Sequence, residues 1–232
     1  MRLSILAFLL VGAGDPERME WKVGDDAREA LVCVPSKPGE GKPPLVFAFH
    51  GHGGTMRHAA RSFGFHEQWP EAVVVYPQGL NTPGRLTDPE GKKPGWQSAA
   101  GDQGDRDLKF FDAVLATMKE KHRIDENRVY VTGHSNGGGF TYLLWGTRGD
   151  RLAAVAPSAA AGSRSLAGAK PLPALHVAGE KDPLVTFAMQ QRAIAAIKSL
   201  NGCEEKGQDW AKGCTIYASP KKAPVVTFIH PG

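Results

Sequence analysis

Apolar runs of four to six residues recur along the chain and alternate with longer stretches of helical periodicity. The runs fall at 31–34, 45–50, 72–76, 128–132, 153–156, 174–178 and 225–229. Several are continuous rather than alternating, as strands covered on both faces require, so they predict the centre of a largely parallel sheet. Between them, 107–121, 136–145 and 187–200 carry apolar residues at helical spacing. In the first, Phe110, Phe111, Val114, Leu115 and Met118 form one core-facing stripe. Asn201-Gly202 supplies a natural stop to the third. Strands alternating with helices predict an α/β fold. The stretch 78–103 is rich in Gly, Pro, Asn and Asp and reads as a long loop, a kind of segment that often carries function. No composition break divides the chain, and 158–171 is too short to be a lid domain, so one domain over 14–232 with an open site is expected.

Composition narrows the classes. A chain of 232 residues that is 41% apolar and 22% charged can bury a sizeable core, which excludes disorder. The net charge of +4 comes from scattered lysines and arginines, so a solvated basic surface is expected rather than a nucleic-acid site. Residues 1–13 combine Arg2, an apolar run and small residues, with Val11 and Ala13 placed as before a cleavage site. They predict a signal peptide and hence a secreted or periplasmic protein, with a buried first strand as the alternative. The run is too short to span a bilayer, and no membrane association is expected. Cys203 and Cys214 bracket the polar segment 204–213 and are expected to form a disulfide closing a small loop, worth roughly 2–3 kcal/mol; two reduced thiols are the alternative. Cys33 reads as a small buried hydrophobe. Neither C-x-x-C nor H-x-x-x-H spacing occurs, so no metal and no cofactor is expected.

The chemistry concentrates at Gly133-His134-Ser135-Asn136-Gly137, a G-x-S-x-G motif between a predicted strand and a predicted helix. That setting is the one a nucleophile elbow requires, with Ser135 exposed at a sharp turn beside the free N–H groups of a helix N-terminus. A serine hydroxyl needs a base to take its proton and an acid to orient that base. In this strand–elbow–helix arrangement the chain order is Ser, then Asp or Glu, then His. Asp182, in the turn after the run 174–178, is the expected acid, with Glu180 as the alternative carboxylate. For the oxyanion, one backbone N–H is expected from Asn136 and the other from His50-Gly51-His52-Gly53-Gly54, with His52 ahead of Gly53. Of eight histidines only His230 follows Asp182. Trp96 and Trp210 are candidates to line a substrate subsite, or to be packed core.

These blocks together resemble the secreted α/β-hydrolase esterases of the polyhydroxybutyrate depolymerase, feruloyl esterase and acetylxylan esterase group. The resemblance rests on His50–Gly54, Val75-Tyr76-Pro77-Gln78-Gly79, Gly95-Trp96, the block from Asp125 to Gly138, Asp182-Pro183-Leu184-Val185, and Asn201-Gly202-Cys203 with Cys214. It implies an α/β-hydrolase fold without a lid domain. It also implies Ser135 as nucleophile, Asp182 as acid, donors at His52 and Asn136, and a Cys203–Cys214 disulfide. The expected activity is carboxylic-ester hydrolysis through an acyl-enzyme, on polyester or on feruloyl or acetyl esters of plant polysaccharide. A serine peptidase of the same fold and a non-catalytic carbohydrate-binding relative are the alternatives. In the family the last strand runs into a Pro-Gly-Gly-His turn. Pro231-Gly232 reads as the opening of that turn, so the expectation is a C-terminally incomplete chain whose base lies beyond Gly232. His230 itself as base, or a catalytically dead relative, are the competing readings.

Overall fold

The apolar runs are continuous because each central strand is covered on both faces. The computed structural model describes residues 16–36 and 40–232; the predicted signal segment 1–13 lies outside the described residues. The chain runs β1 (Glu17–Val23), β2 (Asp26–Cys33), β3 (Leu45–Phe49), α1 (Met56–Phe63), α2 (Phe65–Gln68), β4 (Val73–Pro77), β5 (Leu80–Asn81), β6 (Pro94–Gly95), α3 (Arg106–His122) and β7 (Val129–His134). It continues through α4 (Asn136–Arg148), β8 (Ala154–Ser158), β9 (Ala174–Gly179), α5 (Phe187–Asn201), β10 (Gln208–Ala211), β11 (Cys214–Tyr217) and β12 (Val225–His230). Ten strands form one sheet in the order β1-β2-β4-β3-β7-β8-β9-β12-β11-β10. The six inner strands from β4 to β12 are parallel, and antiparallel pairs close both edges. This is the expected α/β-hydrolase architecture, without an inserted lid.

Side-chain parity explains the covering. Leu45, Phe47 and Phe49 of β3 pack with Phe110, Phe111 and Val114 of α3 and with Phe140 of α4. Val46 and Ala48, one residue out of phase, pack with Met56, Ala59 and Ala60 of α1 on the other face. The edges went unread because they are wet. β1 buries only Val23 fully, and all four residues of β10 are exposed. α1 also lacked a long apolar stripe, burying only Met56, Ala59 and Ala60.

A buried ion pair ties the sheet edge to the loop above it. Arg28 of β2 and Asp107 of α3 have fully buried side chains and meet at 2.8 Å. Arg28 also donates to the carbonyls of Arg106 and Gln78, and its guanidinium lies 4.2 Å from the Phe110 ring centroid. Asp107 accepts the Gln97 N–H, while Gln97 Oε1 accepts the Asp107 and Leu108 N–H groups and so caps α3.

The expected disulfide is absent. Cys33, Cys203 and Cys214 are all free thiols. The register explains it: Glu204 N–H donates to the Ala218 carbonyl, which sets Cys203 beside the far end of β11. Cys214 opens that strand, about 13 Å away at roughly 3.3 Å per residue, whereas bridging needs Cα atoms within about 7 Å.

In urea denaturation, Asp107→Ala should cost about 3–5 kcal/mol, because it strands a buried guanidinium; Arg28→Met with Asp107→Leu together should cost less. A chromogenic thiol reagent should find Cys203 and Cys214 in the native protein but not Cys33, whose thiol burial pushes up to about 12. Reductant should leave Tm unchanged.

Candidate active site

The turn between β7 and α4 can form only because two residues lack side chains. A Cβ on Gly133 would run into the Gly137 carbonyl, and one on Gly137 into the carbonyl of Phe49 at the end of β3. Ser135 stands between them at φ 55° and ψ −115°, a conformation that costs a non-glycine residue roughly 1–3 kcal/mol. It is held there at both ends. Its N–H donates to the Ser158 carbonyl at 2.9 Å, and its carbonyl accepts the Gly139 N–H at 2.9 Å. The Ser135 hydroxyl bonds to no protein group among the described residues.

The loop after β3 lies against this turn. A Cβ on Gly51 would stand 3.6 Å from Ser135 Cβ. Gly53 N–H donates to the Pro94 carbonyl at 2.7 Å and Gly54 N–H to the Gly51 carbonyl at 2.9 Å, so both are consumed. The His52 N–H has no such partner among the described residues, and Asn136 opens α4, where an N–H has no intrahelical acceptor. The His52 N–H, placed ahead of Gly53 by the sequence reading, is thus left without a protein acceptor while that of Gly53 is taken.

Side chains fix this loop from three directions. Gly79 N–H donates to His50 Nε2 at 3.0 Å, so Nδ1 carries the proton and donates to the Gly51 carbonyl at 2.7 Å. Burial pushes His50 down to about 4, keeping the ring neutral in that tautomer. Asn136 clasps the Trp96 backbone twice, accepting its N–H at 2.7 Å and donating to its carbonyl at 3.0 Å. His52 Nε2 meets Asp88 Oδ2 at 3.1 Å, in a pair with only 8% and 10% of the side chains exposed. Asp88 also accepts the Lys93 N–H at 2.8 Å, and its pKa is lowered by these hydrogen bonds against the opposing effect of desolvation.

Asp182 heads the turn after β9. Its Oδ1 accepts the Leu184 and Val185 N–H groups, both at 2.9 Å, and Gln190 Nε2 stands 3.4 Å from Oδ2. It acts electrostatically on the residue before Ser135: desolvation lowers the His134 pKa, Asp182 raises it and His58 lowers it further. Ser135, Asn136 and His52 line one cleft of about 880 Å³, walled by Leu143, Val185 and Met189.

His230 ends β12, with its carbonyl accepting the Glu180 N–H at 2.9 Å, two residues from Asp182. Its ring lies over Gly179, with the Phe228 ring 5.9 Å away. No hydrogen bond joins it to Asp182 or Ser135 among the described residues. Trp96 is fully buried, between Phe49 and Phe140, and donates its Nε1–H to the His50 carbonyl at 2.9 Å. Trp210 is 61% exposed on the outermost strand, in a recess that shares no residue with the Ser135 cleft. Sequence reasoning did not single out Asp88, the Asn136 side chain or the cleft arginines Arg85, Arg164 and Arg192. Only the length of the 78–103 loop signalled the first. Among the described residues no group of His, Cys, Asp or Glu could hold a metal, and no helix is long and apolar enough to cross a membrane.

Residues 91–166, from the loop through the elbow to the turn after β8, match the prolyl oligopeptidase family. Over 190 residues the chain is 28% identical to a probable feruloyl esterase C of Aspergillus flavus, covering 79% of this chain and 65% of that protein. It is 26% identical over 197 residues to feruloyl esterase D of Neurospora crassa, covering 78% and 62%. The chain therefore spans about two thirds of the length of these relatives. Among solved structures, an acetyl xylan esterase from Aspergillus awamori superposes with a TM-score of 0.69 over 93% of each chain at 15% identity, which bears on the fold. The chain thus has the α/β-hydrolase fold, shared with an acetyl xylan esterase, and is similar in sequence to fungal feruloyl esterases over most of its length.

Proposed function

We propose that the protein is a serine carboxylic-ester hydrolase that works through an acyl-enzyme at Ser135. The observation that carries this reading is the placement of Ser135 at a strained strand–helix turn facing a cleft, beside two backbone N–H groups that no protein acceptor uses. Ser135 Oγ attacks the ester carbonyl carbon while a histidine takes its proton. The His52 and Asn136 N–H groups hold the oxyanion, each worth roughly 10²–10³ in turnover. The alcohol leaves with the proton from the histidine, and water then cleaves the acyl-enzyme by the same route. In this reading Asp182 orients the histidine, and His230, whose carbonyl accepts the Glu180 N–H, is the candidate for it among the described residues. The relatives named above are feruloyl and acetyl xylan esterases, which supports a carboxylic ester as the substrate. A peptidase reading draws only on the match to 91–166, while the likenesses that span most of the chain are to esterases.

Hydrolysis of p-nitrophenyl acetate should fall by roughly 10⁴–10⁶ in Ser135→Ala, and a fluorophosphonate probe should add its mass to Ser135 alone. A folded wild-type protein that neither turns over the ester nor takes up the probe would overturn the proposal. An equal loss in His230→Ala would identify that residue as the base; retained turnover would exclude it. Asp88→Asn weakens the bond that holds His52 and should lower kcat about tenfold with little change in KM, a split that a general loss of folded protein would not produce.

A further inference from the structure

Three arginines and no carboxylate line the Ser135 cleft. Arg85 stands on the 84–88 turn, Arg164 on the 3₁₀ turn Ser163–Leu166, and Arg192 on α5. None of them pairs with an Asp or Glu among the described residues, as is also true of Arg57, Arg61, Arg106 and Arg123, whereas Arg18, Arg28, Arg128, Arg148 and Arg151 do pair. All three are exposed; among the described residues the side chains of Arg85 and Arg164 make no hydrogen bond to protein, and that of Arg192 uses only its Nε, on the Ala188 carbonyl.

The frame beneath these side chains is well held. The 84–88 turn is closed by reciprocal backbone bonds of 2.8 Å between Gly84 and Asp88, and the buried His52–Asp88 pair anchors its base. The Ser163–Leu166 turn packs on α4 and α5, so Arg164 and Arg192 come from neighbouring elements. Met189, one helical turn before Arg192, adds an apolar surface to the same wall. Apart from the His52 ring, the lining contains no aromatic side chain; its apolar part is Leu86, Leu143, Leu184, Val185, Met189 and alanines. Like charges gathered over an apolar cleft focus the field and raise the local concentration of anions.

We infer that the cleft selects aliphatic esters bearing a carboxylate remote from the scissile bond, such as the half-ester of a dicarboxylic acid or an oligoester with a free acid end. The ester linkage rests on the function proposed above, while the selection for an aliphatic anion rests on the cleft itself. The aliphatic chain lies along Leu143, Val185 and Met189, and the carboxylate meets the guanidiniums, which are suited to paired hydrogen bonds with it.

The test separates the two claims. NMR titration of the wild-type protein compares adipamate, which has one amide and one carboxylate, with the neutral adipamide. Adipamate should bind roughly tenfold more tightly at low salt, and the gap should close in about 0.5 M salt. It should also close in the triple variant Arg85→Gln, Arg164→Gln, Arg192→Gln, with circular dichroism checking the fold. Should that variant not fold, the three single substitutions and the wild-type salt dependence carry the test. Equal affinity, undetectable binding of adipamate, or a preference that survives the substitutions would overturn the inference. In turnover, kcat/KM for 4-nitrophenyl hydrogen adipate should exceed that for 4-nitrophenyl hexanoate by a similar factor. Equal rates would overturn the selection while leaving the hydrolase reading intact. Tight adipamate binding with neither turnover nor labelling of Ser135 would do the reverse.

Discussion

The site depends on a close backbone-on-backbone approach, where the first turn of α4 lies against the end of β3. Gly137 touches the carbonyls of Phe49 and His50, and no side chain larger than hydrogen fits between them. That approach fixes where Ser135 stands relative to the loop that leaves β3, and so fixes the spacing between the serine and the His52 N–H. The strain at Ser135 persists because both neighbouring strands and the helix hold it in place.

Around this contact the polar groups form a continuous set of attachments. His50 holds Gly79 and Gly51, Asn136 holds Trp96, and Gln97 links that segment to the Arg28–Asp107 pair at the sheet edge. His50, Gly79, Trp96, Gln97, Arg28 and Asp107 are buried, so their bonds are more costly to lose than to replace with a matched apolar pair. The long loop between β4 and α3 is therefore ordered by side chains rather than by secondary structure. Its only strands are the two-residue β5 and β6.

What the sequence revealed tracks burial on two faces. β3, β4 and β7 were legible because each residue of these runs faces one layer or the other, which leaves few polar interruptions. β1 and β10 were not, since their outward positions are polar and the pattern dissolves at the edges. The elbow was legible because its glycines answer to local backbone contacts. The cysteine pair misled because spacing along the chain carries no information on register, and a short intervening hairpin set the two thiols at opposite ends of β11. Trp96 was ambiguous for a related reason: it sits in a loop by sequence, yet Asn136, forty residues later, draws that loop into the core.

The Asp88–His52 pair divides the long loop into parts with different freedoms. On one side of the clamp lies backbone that must keep its place for the serine's surroundings to stay aligned. On the other lies the tip with Arg85 and Leu86, which is exposed and bears on the cleft mouth. Residues at that tip can change in charge and size without disturbing the groups behind it. The clamp thus makes substrate preference a variable that can drift while the reaction geometry is conserved.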